Sequence, residues 1–97
     1  MKIQVLHFFA PYGQREWQTT EVRDSLKEKY DLIQKLGCRI TAEILNGGKV
    51  SLCIDKPDLD DIDIDICSNG PEVIEVLERM IENFSEDKYL DFVKRYD

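Results

Sequence analysis

The sequence predicts an α+β domain: a three-stranded antiparallel meander with helices packed on one of its faces, and an N-terminal stretch that can add an extra strand. Three observations carry this. Apolar residues recur at helical spacing in TTEVRDSLKEKYDLIQKLG and again after SNGPE. Between those stretches, CRITAEIL, VSLCID and DIDIDIC alternate apolar and polar residues with a period of two. An NGG turn and a proline separate the three. Ninety-seven residues make a single domain, 1–97. A chain of this size buries roughly two thirds of the surface its unfolded form exposes, enough for one two-layer core.

The elements follow in chain order. In MKIQVLHFF, Ile3 and Val5 alternate, with His7 next on the same face, until Phe8-Phe9 breaks the pattern; this is the optional strand. APYG punctuates the chain. Val22, Leu26, Tyr30, Ile33 and Leu36 then form a helical stripe. Thr19 or Thr20 is placed to cap it, Glu21 suits its first turn, and Gly37 stands where it should stop. Ile40, Ala42 and Ile44 oppose Val50, Leu52 and Ile54 in a hairpin whose Asn46-Gly47 supplies positive φ angles. Pro57 ends the second strand. In the third, Ile62, Ile64 and Ile66 are expected in the core and Asp61, Asp63 and Asp65 in water. The polar face would then hold Arg39, Thr41, Glu43, Ser51, Cys53, Asp55 and those three aspartates. Pro71 opens a helix with Val73, Leu77, Met80, Ile81 and Phe84 on one stripe. Ser85 caps a last helix in which Tyr89, Phe92, Val93 and Tyr96 share a face.

Charge narrows the function classes. The net charge is −7, and it is uneven: residues 1–56 hold nine Lys/Arg against seven Asp/Glu, residues 57–97 four against thirteen. Direct binding to nucleic acid draws its affinity from neutralising phosphates, so an acidic chain argues against it. Basic protein partners are favoured instead. No apolar run approaches the length of a membrane span, and the N-terminal stretch does not read as a signal peptide. Cys38, Cys53 and Cys67 are odd in number and too far apart in sequence for a CxxC pair, which suits free thiols in a reducing cytoplasm. With His7 the sole histidine, neither a zinc site nor another cofactor is expected.

The aspartates of DLDDIDIDICSNGPE are the main functional handle. An EF-hand reading from Asp61 reaches Glu72 at the twelfth position, but Ile66 stands where that loop needs glycine. Gly47-Gly48, twelve residues, then Asp61-Ile62-Asp63 is similar to the paired glycines and Asp-x-Asp of small nucleotidyltransferases. That resemblance implies magnesium held by Asp61 and Asp63. Against it, Asn46-Gly47-Gly48 fits a hairpin turn, and no later strand offers a third carboxylate. The helix–meander–helix order also occurs in double-stranded-RNA-binding domains. Those need a basic second helix, and here that helix carries Glu72, Glu75, Glu78 and Glu82 against Arg79.

A row of carboxylates also offers a basic groove what a phosphate backbone offers, and charge complementarity speeds such association. In size, charge and order of elements the chain resembles small acidic inhibitors encoded by phages, anti-CRISPR proteins among them. Immunity proteins that neutralise basic nucleases have the same physical character. No residue motif carries the resemblance, and no family is assigned. The expectation is a non-catalytic inhibitor that binds a basic protein surface, such as the nucleic-acid groove of a nuclease. Asp58, Asp60, Asp61, Asp63 and Asp65 would make the contact, with Glu72 and Glu75 adding to it. Phe8, Phe9, Tyr12 and Trp17 offer a homodimer contact as a separate option.

Overall fold

A computed structural model describes residues 1–9 and 13–96. The α+β class holds, with more sheet than the meander alone. The strands are β1 (Lys2–Phe9), β2 (Gln14–Glu21), β3 (Arg39–Leu45), β4 (Lys49–Asp55) and β5 (Asp61–Ser68). The helices are α1 (Lys27–Lys35), α2 (Glu72–Asn83) and α3 (Glu86–Val93). The sheet order is β2-β1-β3-β4-β5. β1 runs parallel to β3, and every other pairing is antiparallel. The punctuation read at APYG falls mostly on Ala10, Pro11 and Tyr12, outside the described residues.

One boundary is corrected. The helix expected from Thr19 or Thr20 starts later, because Thr19, Thr20 and Glu21 complete β2 opposite Gln4, Ile3 and Lys2. Gln4 Nε2 donates to Thr19 Oγ1 at 3.0 Å, so this threonine is a cross-strand partner and not a helix cap. Asp24–Leu26 form a 3₁₀ turn before α1, which has no side-chain N-cap. The rest of that stripe packs as expected: Val22, Leu26 and Ile33 are buried. The β3–β4 turn takes its positive φ angles at Gly47 and Gly48, one position later than the Asn46-Gly47 reading. Ser85 caps α3, its Oγ accepting from the Lys88 N–H at 3.1 Å.

Helices cover one face of the sheet only. Ile3, Val5, Ile40, Ala42, Val50, Leu52, Ile54 and Cys67 point to that side. They meet Leu26 and Ile33 near α1, Val76, Leu77, Met80 and Ile81 from α2, and Phe84 just beyond it. Each such large side chain taken from water contributes roughly 1.5–3 kcal/mol, and the sum holds the two layers together. The opposite face is open except at one end, where Tyr30 and Gln34 of α1 line a pocket with Gln4, Trp17 and Arg39.

On β5 the expected orientation is reversed. Asp61 lies opposite Asp55, but Asp63 lies opposite Ile54, so Ile62 is an extra residue on β5. This bulge flips the alternation beyond it. Asp63, Asp65 and Cys67 face the helices, while Ile64 and Ile66 are 54% and 58% exposed on the open face. Ile62 alone among the three isoleucines packs against the core. Cations on the helices meet the carboxylates turned to this side: Lys88 Nζ donates to Asp63 at 3.2 Å, and Arg79 lies 3.8 Å from Asp65. Arg39, Thr41, Glu43, Ser51, Cys53, Asp55 and Asp61 do share the open face, as the alternation implies.

Gly37 is the position where the chain demands glycine. Its φ is +75°, and a Cβ there would stand 2.8 Å from Lys56 Nζ. That ammonium donates to the Leu36 carbonyl at 2.6 Å and lies 5.5 Å from the Tyr89 ring centre. Gly37→Ala is expected to cost about 1–2 kcal/mol for the left-handed backbone alone, plus the displacement of Lys56. Urea melts should show that Lys56→Ala removes the second part and leaves the first. Equal penalties in both backgrounds would contradict the close approach.

Candidate functional site

The seven nominated acidic residues do not form one row. Asp58 (φ +72°) and Asp60 lie in the β4–β5 turn. That turn is closed by Lys56 N–H donating to the Asp60 carbonyl and Leu59 N–H to the Lys56 carbonyl. Asp60 Oδ1 accepts from the Asp61 N–H at 2.8 Å. Asp61 is on the open face beside Asp55, whose carboxylate is gripped by Arg39 through Nε at 2.9 Å and Nη2 at 3.2 Å. Asp63, Asp65, Glu72 and Glu75 gather elsewhere, along the flank where α2 lies over β5. Glu72 accepts from the Ser68 N–H at 3.2 Å. Glu75 is exposed one helical turn before Arg79, on the same stripe as Glu72.

Burial pushes the Asp61 carboxyl above its ordinary value, Asp55 and Asp60 add to the rise, and Arg39 opposes it. A carboxylate with a raised folded value lowers stability when ionised. The penalty is present above that value and disappears once the pH falls below the unfolded value. Asp61→Asn should therefore stabilise at pH 7, by less than about 1 kcal/mol for relief of a like-charge pair. The gain should vanish near pH 3, below the ordinary aspartate range. Thermal melts of both proteins across this range would measure it, and a gain that persists at acid pH would contradict the assignment.

This geometry also limits the chemistry. Asp61 and Asp63 leave the sheet on opposite faces, so the Asp-x-Asp pair does not share one magnesium as a nucleotidyltransferase would require. Among the described residues, no group of three or more His, Cys, Asp and Glu is arranged to hold a metal ion. His7 faces the helix side, at a cavity of about 260 Å³ beneath the start of α2, and burial lowers its pKa despite Glu16. Cys53 sits on the other face of the sheet, so the two form no thiol–imidazole pair. Burial raises the thiol pKa of Cys38, Cys53 and Cys67 alike, which keeps them protonated and poorly nucleophilic.

Sequence reasoning missed the open face as an apolar surface. β1 and β2 place Trp17 beside Leu6 and Arg15 beside Phe8. Leu6 neighbours Thr41 on β3, followed across the sheet by Cys53 and Ile64. Trp17, Ile64 and Ile66 are all more than half exposed. Charges on this face balance: Lys2, Arg15, Arg39 and Lys49 against Glu21, Glu43, Asp55 and Asp61. The net charge of −7 is therefore carried by the rest of the chain. The usable signal was the β-branched and aromatic content of QREWQTTE, which its polarity on both faces concealed. No helix among the described residues is long and apolar enough to cross a membrane. Comparison with protein-family models, curated proteins and solved structures found no match for the chain.

Proposed function

We propose that the chain is a non-catalytic binding protein that sets its acidic flank against a basic protein surface, such as the nucleic-acid groove of a nuclease, in a reducing cytoplasm. The observation that carries this reading is the charge partition. The open sheet is balanced, and the excess carboxylates lie elsewhere, with Asp63, Asp65, Glu72 and Glu75 concentrated where α2 meets β5. Asp63 is hydrogen-bonded by Lys88 and Asp65 lies near Arg79, which offsets part of their charge. Glu72 and Glu75 supply the surplus. Such a flank steers a cationic partner at a distance and works chiefly on the association rate. In this arrangement the carboxylates that imitate phosphates come from a strand and a helix together, in place of a single strand. Asp58, Asp60 and Asp61 form a second acidic corner that a large partner can also reach.

The test is paired affinity capture from cell extract with mass spectrometry. It uses the natural chain and a variant carrying Asp63→Asn, Asp65→Asn, Glu72→Gln and Glu75→Gln. A basic protein captured by the first and lost by the second is expected. Its association should slow steeply between 0.05 and 0.5 M salt, because screening acts over about 10 Å at 0.1 M, and added DNA should compete. An identical capture by both chains would overturn the proposal. A capture lost on Trp17→Ala but indifferent to the four neutralisations would assign binding to the open face.

A further inference from the structure

We infer that the open face of the sheet packs against a second copy of this chain, forming a symmetric dimer with the two helical layers outermost. Three features point to a copy of itself. First, the face is charge-balanced, four cations against four carboxylates, in a chain of net charge −7. It is the surface on which two like-charged molecules approach with least repulsion. Second, the apolar residues are self-complementary. One row runs Trp17, Leu6, Thr41, Cys53, Ile64, and the next runs Arg15, Phe8, Glu43, Ser51, Ile66; Leu6 and Thr41 are already buried within the chain, so the exposed apolar contacts come from Trp17, Ile64 and Ile66. A two-fold axis along the strand direction lays each Trp17 over the partner's Ile64, and the aliphatic stem of each Arg15 over the partner's Ile66. The small Thr41, Ser51 and Cys53 leave room between the bulky ends. This is the aligned face-to-face packing of β-sandwiches, with sheets about 10 Å apart. Third, the face has the extent of a small interface. Five strands about 4.8 Å apart, with same-face residues about 6.7 Å apart, give roughly 500 Å² in projection and more in accessible surface. A standard interface buries about 800 Å² per partner, so a modest affinity is expected.

The same axis brings the two copies of Glu43 close together. The two copies of Arg39 also meet at this axis, but each is already paired with Asp55; the Glu43 repulsion weakens the pair, so Glu43→Gln should tighten it.

The chain's single tryptophan makes the test direct. Sedimentation equilibrium from about 1 µM to 500 µM should show a monomer–dimer equilibrium. Trp17 emission should move to shorter wavelength as the dimer fills. Trp17→Ala should weaken the dimer several-fold, as expected when a large aromatic contact is removed from each end of the interface. Ile64→Asp should do the same. Both side chains are more than half exposed, so circular dichroism should show the variants folded. Glu43→Gln should strengthen the dimer, while Asp63→Asn, on the helix side, should leave it unchanged. A chain that stays monomeric at 500 µM would overturn the inference, as would a dimer indifferent to Ile64→Asp. Because Asp63 and Glu72 lie away from this face, failure here leaves the acidic-flank reading standing, and the reverse holds as well.

Discussion

Phe84→Ala is expected to lower the unfolding free energy by about 3–5 kcal/mol, the cost of removing a fully buried aromatic and leaving a cavity. Phe84 has no exposed surface and lies just after α2, where that helix hands over to α3. Its carbonyl accepts from Lys29 Nζ at 2.5 Å, and its N–H donates to the Ile81 carbonyl at 3.2 Å. The backbone is thus held in place and has little freedom to close the cavity. Domains of this kind are stable by only about 5–15 kcal/mol, so one truncation removes a large share. Urea unfolding followed by circular dichroism is the measurement. A loss below about 1 kcal/mol would mean that Phe84 is not in the core.

The second large effect separates two neighbours on β5. Cys67 is 4% exposed on the helix side and Ile66 is 58% exposed on the open face. Cys67→Asp should cost about 3 kcal/mol, because it buries a carboxylate beside Glu72 and Asp65, with Lys49 offsetting only part of the cost. Ile66→Asp should fall within about 1 kcal/mol of the natural chain, measured dilute enough to keep the protein monomeric. The simple alternation of DIDIDIC demands the opposite result, with Ile66 inside and the next residue in water. A damaging Ile66→Asp beside a harmless Cys67→Asp would refute the bulge at Ile62.

Much of the fold was legible because local rules and tertiary structure agree there. The β3–β4 hairpin has a clean alternation and a glycine turn, α2 has a strong apolar stripe, and Ser85 and Gly37 sit at helix ends as capping chemistry predicts. Two things escaped. β2 is an edge strand with polar residues on both faces; its ladder to β1 defines it, and no hydrophobic period marks such a strand. The orientation of β5 escaped because one extra residue, Ile62, resets the parity. The reset brings Asp63 to Lys88, twenty-five residues away, a contact that local alternation does not encode. Of the candidate site, the acidic character was legible from composition, but its division between a flank and a corner was not. Composition does not say which face of a strand a carboxylate occupies.

The parallel pairing of β1 with β3 has a consequence for how the chain folds. The β1–β2 hairpin and the β3–β4–β5 meander are each built from neighbours in sequence, whereas β1 meets β3 across about 35 residues and over only four paired positions, Leu6–Phe9 with Thr41–Ile44. Closing that long loop costs entropy before the ladder repays it. The meander with α2 is thus placed to condense first, and the N-terminal hairpin to arrive as a late, preformed unit. Until it docks, β3 is itself an edge, with its backbone groups open to any other extended chain. The interval between those two events is when this protein is most exposed to mispairing, and a chain being made slowly from its N-terminus holds its hairpin ready before β3 has been synthesised.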